Sequence, residues 1–191
     1  YLSFNHPQIL VGNMISDYVK GISQFDYPLQ IQHGIQLHRA IDTFTDSHDC
    51  TRAIKKLFAP TYRLYAGAFT DVVYDYFLAN DKTIFENDEA LATFCQNTYS
   101  ILQENKPFLP QKFLGMLPYM VTQNWLYNYK FDWGMQKSLQ GVVRRSAYLT
   151  ESDTAFAIFL QNKDFIKKQY NMYFPQLKAF VQNKLTEFLK P

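Results

Sequence analysis

Three short stretches concentrate the side chains that could bind a cation or move a proton. In GIQLHRAIDTFTD (34–46), His38, Asp42 and Asp46 recur every four residues. On a helix such a series shares one side. Leu37, Ile41 and Phe44, interleaved with them, read as core. TDVVYDYFL (70–78) sets Asp71 and Asp75 four apart inside an apolar run, and GNMISDYVKG (12–21) adds Asn13 and Asp17. Like charges at this spacing repel, and burying a carboxylate costs more unless it is paired or bound to a cation. A divalent ion removes both penalties. Bundles that aim His and carboxylates inward from facing helices hold metals in this way. Oxygen-rich donors with imidazole suit Mn²⁺, Mg²⁺ or Fe²⁺ over thiolate-seeking metals.

Such a site hydrolyses phosphate esters: the metal lowers the pKa of a bound water and neutralises phosphoryl oxygens. Arg39 offers the planar fork that grips a phosphate. The bland alternatives stay open. Each acidic pair could be a solvated helix face, and Arg39 could instead pair with Asp42 or Asp46. His6, His33 and His48 lack suitable partners at helical spacing and read as structural or exposed. Asp26 and Asp49 read as loop or capping residues.

The elements that must position these groups are helices. The pattern predicts helices over 7–20, 29–46, 48–58 (stopped before Pro60), 61–79 (bent near Gly67) and 89–105. After the proline-broken NKPFLPQKF (105–113), it predicts 117–130, 132–148, 152–162 and 164–189, the last broken near Pro175. Strict alternation is scarce, and seven Gly in 191 residues is few for a turn-rich β fold. The expectation is all-α: a single compact domain, 1–191, of about seven to nine helices.

With 47% apolar residues against 19% charged, the chain can fill a sizeable core, which excludes a disordered chain. No apolar run approaches the ~20 residues that span a bilayer, and no signal peptide is visible. Cys50 and Cys95 lack a metal or redox spacing and read as reduced cytosolic thiols. The chain starts at Tyr1, so its natural start is expected to lie elsewhere. Residues 1–100 hold seven Lys/Arg against eleven Asp/Glu, whereas 101–191 hold twelve against six. The second half is therefore the one suited to an anionic partner.

The three N-terminal blocks, in this order and spacing, resemble the signature segments of the acyl carrier protein phosphodiesterases, a divergent branch of the HD-type metal phosphohydrolases. QNWLYNY (123–129) and QGVVRRS (140–146) are similar to that family's C-terminal pattern, so the resemblance runs over nearly the whole chain. It implies an all-helical, HD-phosphohydrolase-like fold and a cytoplasmic bacterial enzyme with a divalent ion, typically Mn²⁺. The implied reaction cuts the phosphodiester between 4′-phosphopantetheine and a serine of holo acyl carrier protein, giving the apo-protein and phosphopantetheine. Position by position, it implies His38, Asp71 and Asp75 on the metal, Asp17 as ligand or base, Asp42 in the catalytic polar set, and Arg39 on the phosphate. The family usually carries a His where this chain has Tyr76. It also has an Asn-aromatic-Leu-Ala-His segment ahead of the position of Tyr1.

Acyl carrier proteins are acidic and helical, so the basic half offers a docking face by charge complementarity, with Arg144, Arg145, Lys163, Lys167 and Lys168 as candidates. Two other readings compete: a phosphohydrolase of the same fold acting on a nucleotide or similar small ester, and a non-catalytic module that docks the carrier, which Tyr76 favours. Scattered basic residues, no recognisable motif and a pI of 8.4 argue against a nucleic-acid partner.

Overall fold

Pro7, whose missing N–H costs nothing in a first turn, opens α1 (Pro7–Ile15), which tightens into a 3-10 turn over Ser16–Tyr18. α2 (Leu29–Ser47) carries the His38 series. There follow α3 (Asp49–Tyr62), α4 (Ala66–Ala79), α5 (Asp88–Glu104), α6 (Gln111–Thr122), the single turn α7 (Trp125–Asn128), α8 (Asp132–Arg145), α9 (Asp153–Gln161) and α10 (Lys163–Phe188). The computed structural model describes residues 1–190. Among them are ten helices and no strand, so the all-α expectation holds with one helix more than its upper count.

Several boundaries differ from those the sequence predicts, for local reasons. α3 runs through Pro60 to Tyr62: the proline gives up one intrahelical N–H bond, and the Ala59 carbonyl is capped by the Arg63 N–H. Arg63 then takes a left-handed backbone, φ 48°, which separates α3 from α4; the helix expected from residue 61 starts at Ala66. α6 begins six residues early, at Gln111, with Pro110 as its N-cap and the Pro110 carbonyl accepting from Leu114 N. Asn124 in the left-handed region ends what was expected to be one helix over 117–130. Pro175 lies inside α10 without breaking it.

The described residues form two compact units. The first comprises residues 1–45, 93–123 and 175–190, and the second comprises Asp46–Ala92 and Asn124–Phe174. In the first, Ile9, Ile15, Ile31, Ile35 and Leu37 are fully buried. Here α1 and α2 cross backbone to backbone. A Cβ on Gly12 would meet the Ile31 carbonyl oxygen at 2.0 Å, and one on Gly34 would meet the Ile9 carbonyl oxygen at 2.2 Å. Only glycine permits that approach.

The second unit is an aromatic core. Phe58 stacks on Phe69 at 5.8 Å, Tyr62 lies 4.3 Å from Phe69, and Tyr74 stacks on Tyr173 at 4.5 Å. Rings of this size contribute about 1.5–3 kcal/mol each by burial. The Tyr62 hydroxyl donates to Glu151 Oε1 at 2.9 Å and accepts from Ala155 N at 2.8 Å, tying the end of α3 to the start of α9.

Candidate metal centre

The glycine crossing places the chemistry. One residue past Gly12 is Asn13, and five past it is Asp17 on the 3-10 turn; one helical turn past Gly34 is His38. His38 Nε2 lies 3.4 Å from Asp17 Oδ1 and 3.3 Å from Asp42 Oδ2. Its other nitrogen, Nδ1, lies 3.2 Å from Asn13 Oδ1. That oxygen is a pure acceptor, so Nδ1 carries a proton and donates. Asp17, His38 and Asp42 each present one ligand atom, and the three lie within 4.8 Å of one another. The His38 side chain is 25% exposed, and the carboxylates are open to solvent.

With Nδ1 committed to Asn13, two states satisfy the ring. A protonated imidazole donates from Nε2 to both carboxylates, or a neutral ring turns its Nε2 lone pair toward a cation that the carboxylates share. A bare lone pair facing two anions is the unfavourable third case. The hydrogen bond from His38 holds the Asp17 carboxyl below its ordinary range, more than its partial burial raises it. Two carboxylates and an imidazole whose far nitrogen is fixed fit a hard or borderline divalent ion. Orientation of the ring through its second nitrogen, here by Asn13, is a usual feature of metal-bound histidines.

The remaining sequence-assigned residues fall elsewhere. Arg39 holds the neighbouring turn: Nη1 donates to Gln24 Oε1 at 2.9 Å and Nη2 to the Val19 carbonyl at 3.1 Å. Neither of its sequence readings, a phosphate grip or a pair with Asp42 or Asp46, describes those two bonds. Asp46 pairs with Lys55 at 2.7 Å. His48 caps α3, its Nδ1 accepting from Cys50 N, and His33 stacks on Phe188 at 4.9 Å, so both have structural roles.

Asp71 and Asp75 lie on α4 in the second unit and are not in the group of three. Asp71 is exposed; Asp75 is half-buried. Burial pushes the Asp75 carboxyl up to about 6, partly offset by a hydrogen bond from the Tyr129 hydroxyl. Burial likewise raises the Tyr129 hydroxyl, and the Asp75 charge adds to it.

Tyr76 is core. Its ring lies 5.0 Å from Phe159, edge to face, and the Lys163 ammonium sits over it at 4.7 Å while reaching Asp132 at 3.0 Å. Lys163 is thus engaged inside the second unit, whereas Arg144, Arg145, Lys167 and Lys168 are exposed.

The sequence reading passed over Asn13 as an orienting group and the Gly12–Gly34 pair. The signal for the pair was present: glycine inside a helix costs about 0.5–1 kcal/mol, so its placement there has a packing reason.

A sequence profile of acyl carrier protein phosphodiesterases matches residues 1–177. The chain belongs to the acyl carrier protein phosphodiesterase family. Proteins named acyl carrier protein phosphodiesterase are similar along almost the full length. The one from Klebsiella pneumoniae subsp. pneumoniae is 28% identical over 92% of this chain and 91% of its own. Those from Yersinia pestis and Photorhabdus laumondii are 27% and 26% identical over the same 92%, covering 91% and 88% of their own chains. No solved structure matches. For this member of the acyl carrier protein phosphodiesterase family, no helix among the described residues is long and apolar enough to cross a membrane.

Proposed function

We propose that the protein hydrolyses the phosphodiester joining 4′-phosphopantetheine to a serine of holo acyl carrier protein, using a divalent cation held by Asp17, His38 and Asp42. The observation that carries this reading is the group of three donor atoms within 4.8 Å, with His38 Nδ1 fixed by Asn13. The donor set suits Mn²⁺, Mg²⁺ or Fe²⁺, and the family resemblance favours Mn²⁺. When bound, the cation supplies Lewis acidity and lowers the pKa of a bound water. Asn13 keeps the ring turned so that Nε2 faces the carboxylates. Arg39 holds the turn that carries Asp17 against α2. Water adds at phosphorus, the serine oxygen leaves with a proton, and the products are apo-carrier and phosphopantetheine. Asp75, which the family resemblance puts on the cation but which lies outside the group of three, is substituted as well. The reading takes the reaction to be cytoplasmic, with the carrier as its partner rather than nucleic acid or a membrane.

A second reading, a module that docks the carrier without cutting it, is favoured by Tyr76. At a position where the family commonly has a histidine, this chain has a ring buried under Lys163. Intact-mass spectrometry separates the two. The protein is incubated with holo acyl carrier protein and Mn²⁺, beside His38→Ala and Asp75→Ala. Loss of the phosphopantetheine mass with wild type, and not with His38→Ala, supports hydrolysis at the proposed centre; Asp75→Ala, outside the group of three, is expected to retain cleavage. Binding without any mass loss overturns it in favour of the module.

A further inference from the structure

We infer that the Arg63–Tyr65 turn and the connection after α8 together form a docking face for an acidic, helical protein surface, that of the carrier in the proposed reaction. This rests on that reading only for the identity of the partner. Leu64 is 98% exposed and Tyr148 is 85% exposed, the two most solvent-open of the large apolar side chains. A single exposed leucine means little; the surroundings give it weight. The left-handed backbone of Arg63 ends α3 and turns Leu64 outward. The Tyr62 hydroxyl, bonded to Glu151 and to Ala155 N, brings that turn to the same end of the second unit as the Tyr148–Glu151 connection.

Three arginines accompany the two apolar side chains. Arg63, Arg144 and Arg145 are all exposed, and none forms an ion pair among the described residues. Of the acids nearby, Glu151 is spent on Tyr62 and on the Thr154 N–H, which leaves Asp153 at the start of α9. Two exposed apolar side chains and three guanidinium groups without ion pairs, on segments that the Tyr62 hydroxyl joins, match the make-up of an interface centre, in which aromatic residues and Arg are enriched and acids depleted. The excess positive charge selects a partner of opposite sign. Lys163, assigned to docking from the sequence, is left out because Asp132 and Tyr76 hold it.

The test is the affinity for apo acyl carrier protein, read by fluorescence anisotropy at low and high salt. Wild type is compared with Leu64→Asp, Arg144→Glu and, as a charge reversal in the first unit, Lys112→Glu. All three positions are exposed, and circular dichroism checks the fold. Leu64→Asp and Arg144→Glu are expected to weaken binding about tenfold or more. Arg144→Glu also flattens the salt dependence, and Lys112→Glu changes neither. Wild-type binding with Leu64→Asp and Arg144→Glu equally tight overturns the docking face and leaves the proposed reaction standing. Wild type that neither binds nor cleaves the carrier overturns both.

Discussion

α2 and α4 carry the same pattern, acidic residues four apart beside an apolar stripe, and the two regions put it to different use. On α2, His38 and Asp42 meet Asp17 from across a glycine crossing, and the two carboxylates stand open to solvent. On α4, Asp71 faces out while Asp75 is half-buried, hydrogen-bonded by Tyr129, with its carboxyl raised to about 6. Spacing decides which side chains share a face. The element packed opposite decides what they become: a backbone that approaches closely admits donors from a second helix, whereas an aromatic wall leaves a lone acid to be satisfied by a phenol.

The comparison can be broken hardest at the crossing. Gly34→Val drives a branched side chain into the Ile9 carbonyl and the Gly12 Cα. It is expected to cost about 3 kcal/mol or more in urea unfolding and to abolish Mn²⁺ binding in the first unit. Next is His38→Ala. We expect hydrolysis of holo-carrier to fall more than about a hundredfold with the unfolding midpoint nearly unchanged, because even residues that only orient a ligand are worth about 10–100-fold.

Asn13→Ala sharpens the contrast. Calorimetric Mn²⁺ affinity should drop about tenfold, with Asn13→Asp partly restoring it. Its counterpart on the other side is Tyr129→Phe, which leaves Asp75 without its donor. There we expect about 1–2 kcal/mol of lost stability and unchanged affinity for the ion at Asp17, His38 and Asp42.

The smallest expected effect is a pH dependence in the second unit. The Thr154 N–H holds the Glu151 carboxyl below its ordinary 4.5. Its contribution is therefore full above that value and fades as pH falls through the lower folded one. Burial pushes the Tyr62 hydroxyl up to about 12, with the Glu151 bond adding to it. The folded state thus keeps the phenol's proton, and stability declines between pH 10 and about 12. Glu151→Gln should remove the acid limb at a cost of roughly a few tenths of a kcal/mol at neutral pH, as for other exposed charged contacts. Unfolding midpoints across pH check both limbs.

Much of this was legible in the sequence. Helical periodicity gave the class, and the three N-terminal blocks pointed to the family that the full-length match then showed. The spacing of His38 and Asp42 correctly placed them on one face. What the pattern could not carry was pairing between elements. Nothing local says that Asn13 turns toward His38, since that depends on where α1 crosses α2. Arg39 beside His38 looks like a phosphate grip until Gln24 of the Gly21–Asp26 turn and the Val19 carbonyl take two of its donors. Lys163 looks like surface charge until Asp132 and Tyr76 close around it. The prolines misled for the opposite reason. A proline is a strong local signal, yet at 60 and 175, where the sequence predicts breaks, the helices continue through it.

A helix crossing seated on side chains changes its spacing whenever one of those side chains changes size. The Gly12–Gly34 crossing is seated on peptide carbonyls and α-carbons, which no substitution elsewhere can enlarge or shrink. The distance between the Asp17 turn and His38 is therefore insulated from drift in the surrounding core. Large residues such as Ile31 or Leu102 can be exchanged at a cost in stability while the donors keep their separation. Mutational robustness of the chemistry is concentrated in two positions that contribute no side chain to it.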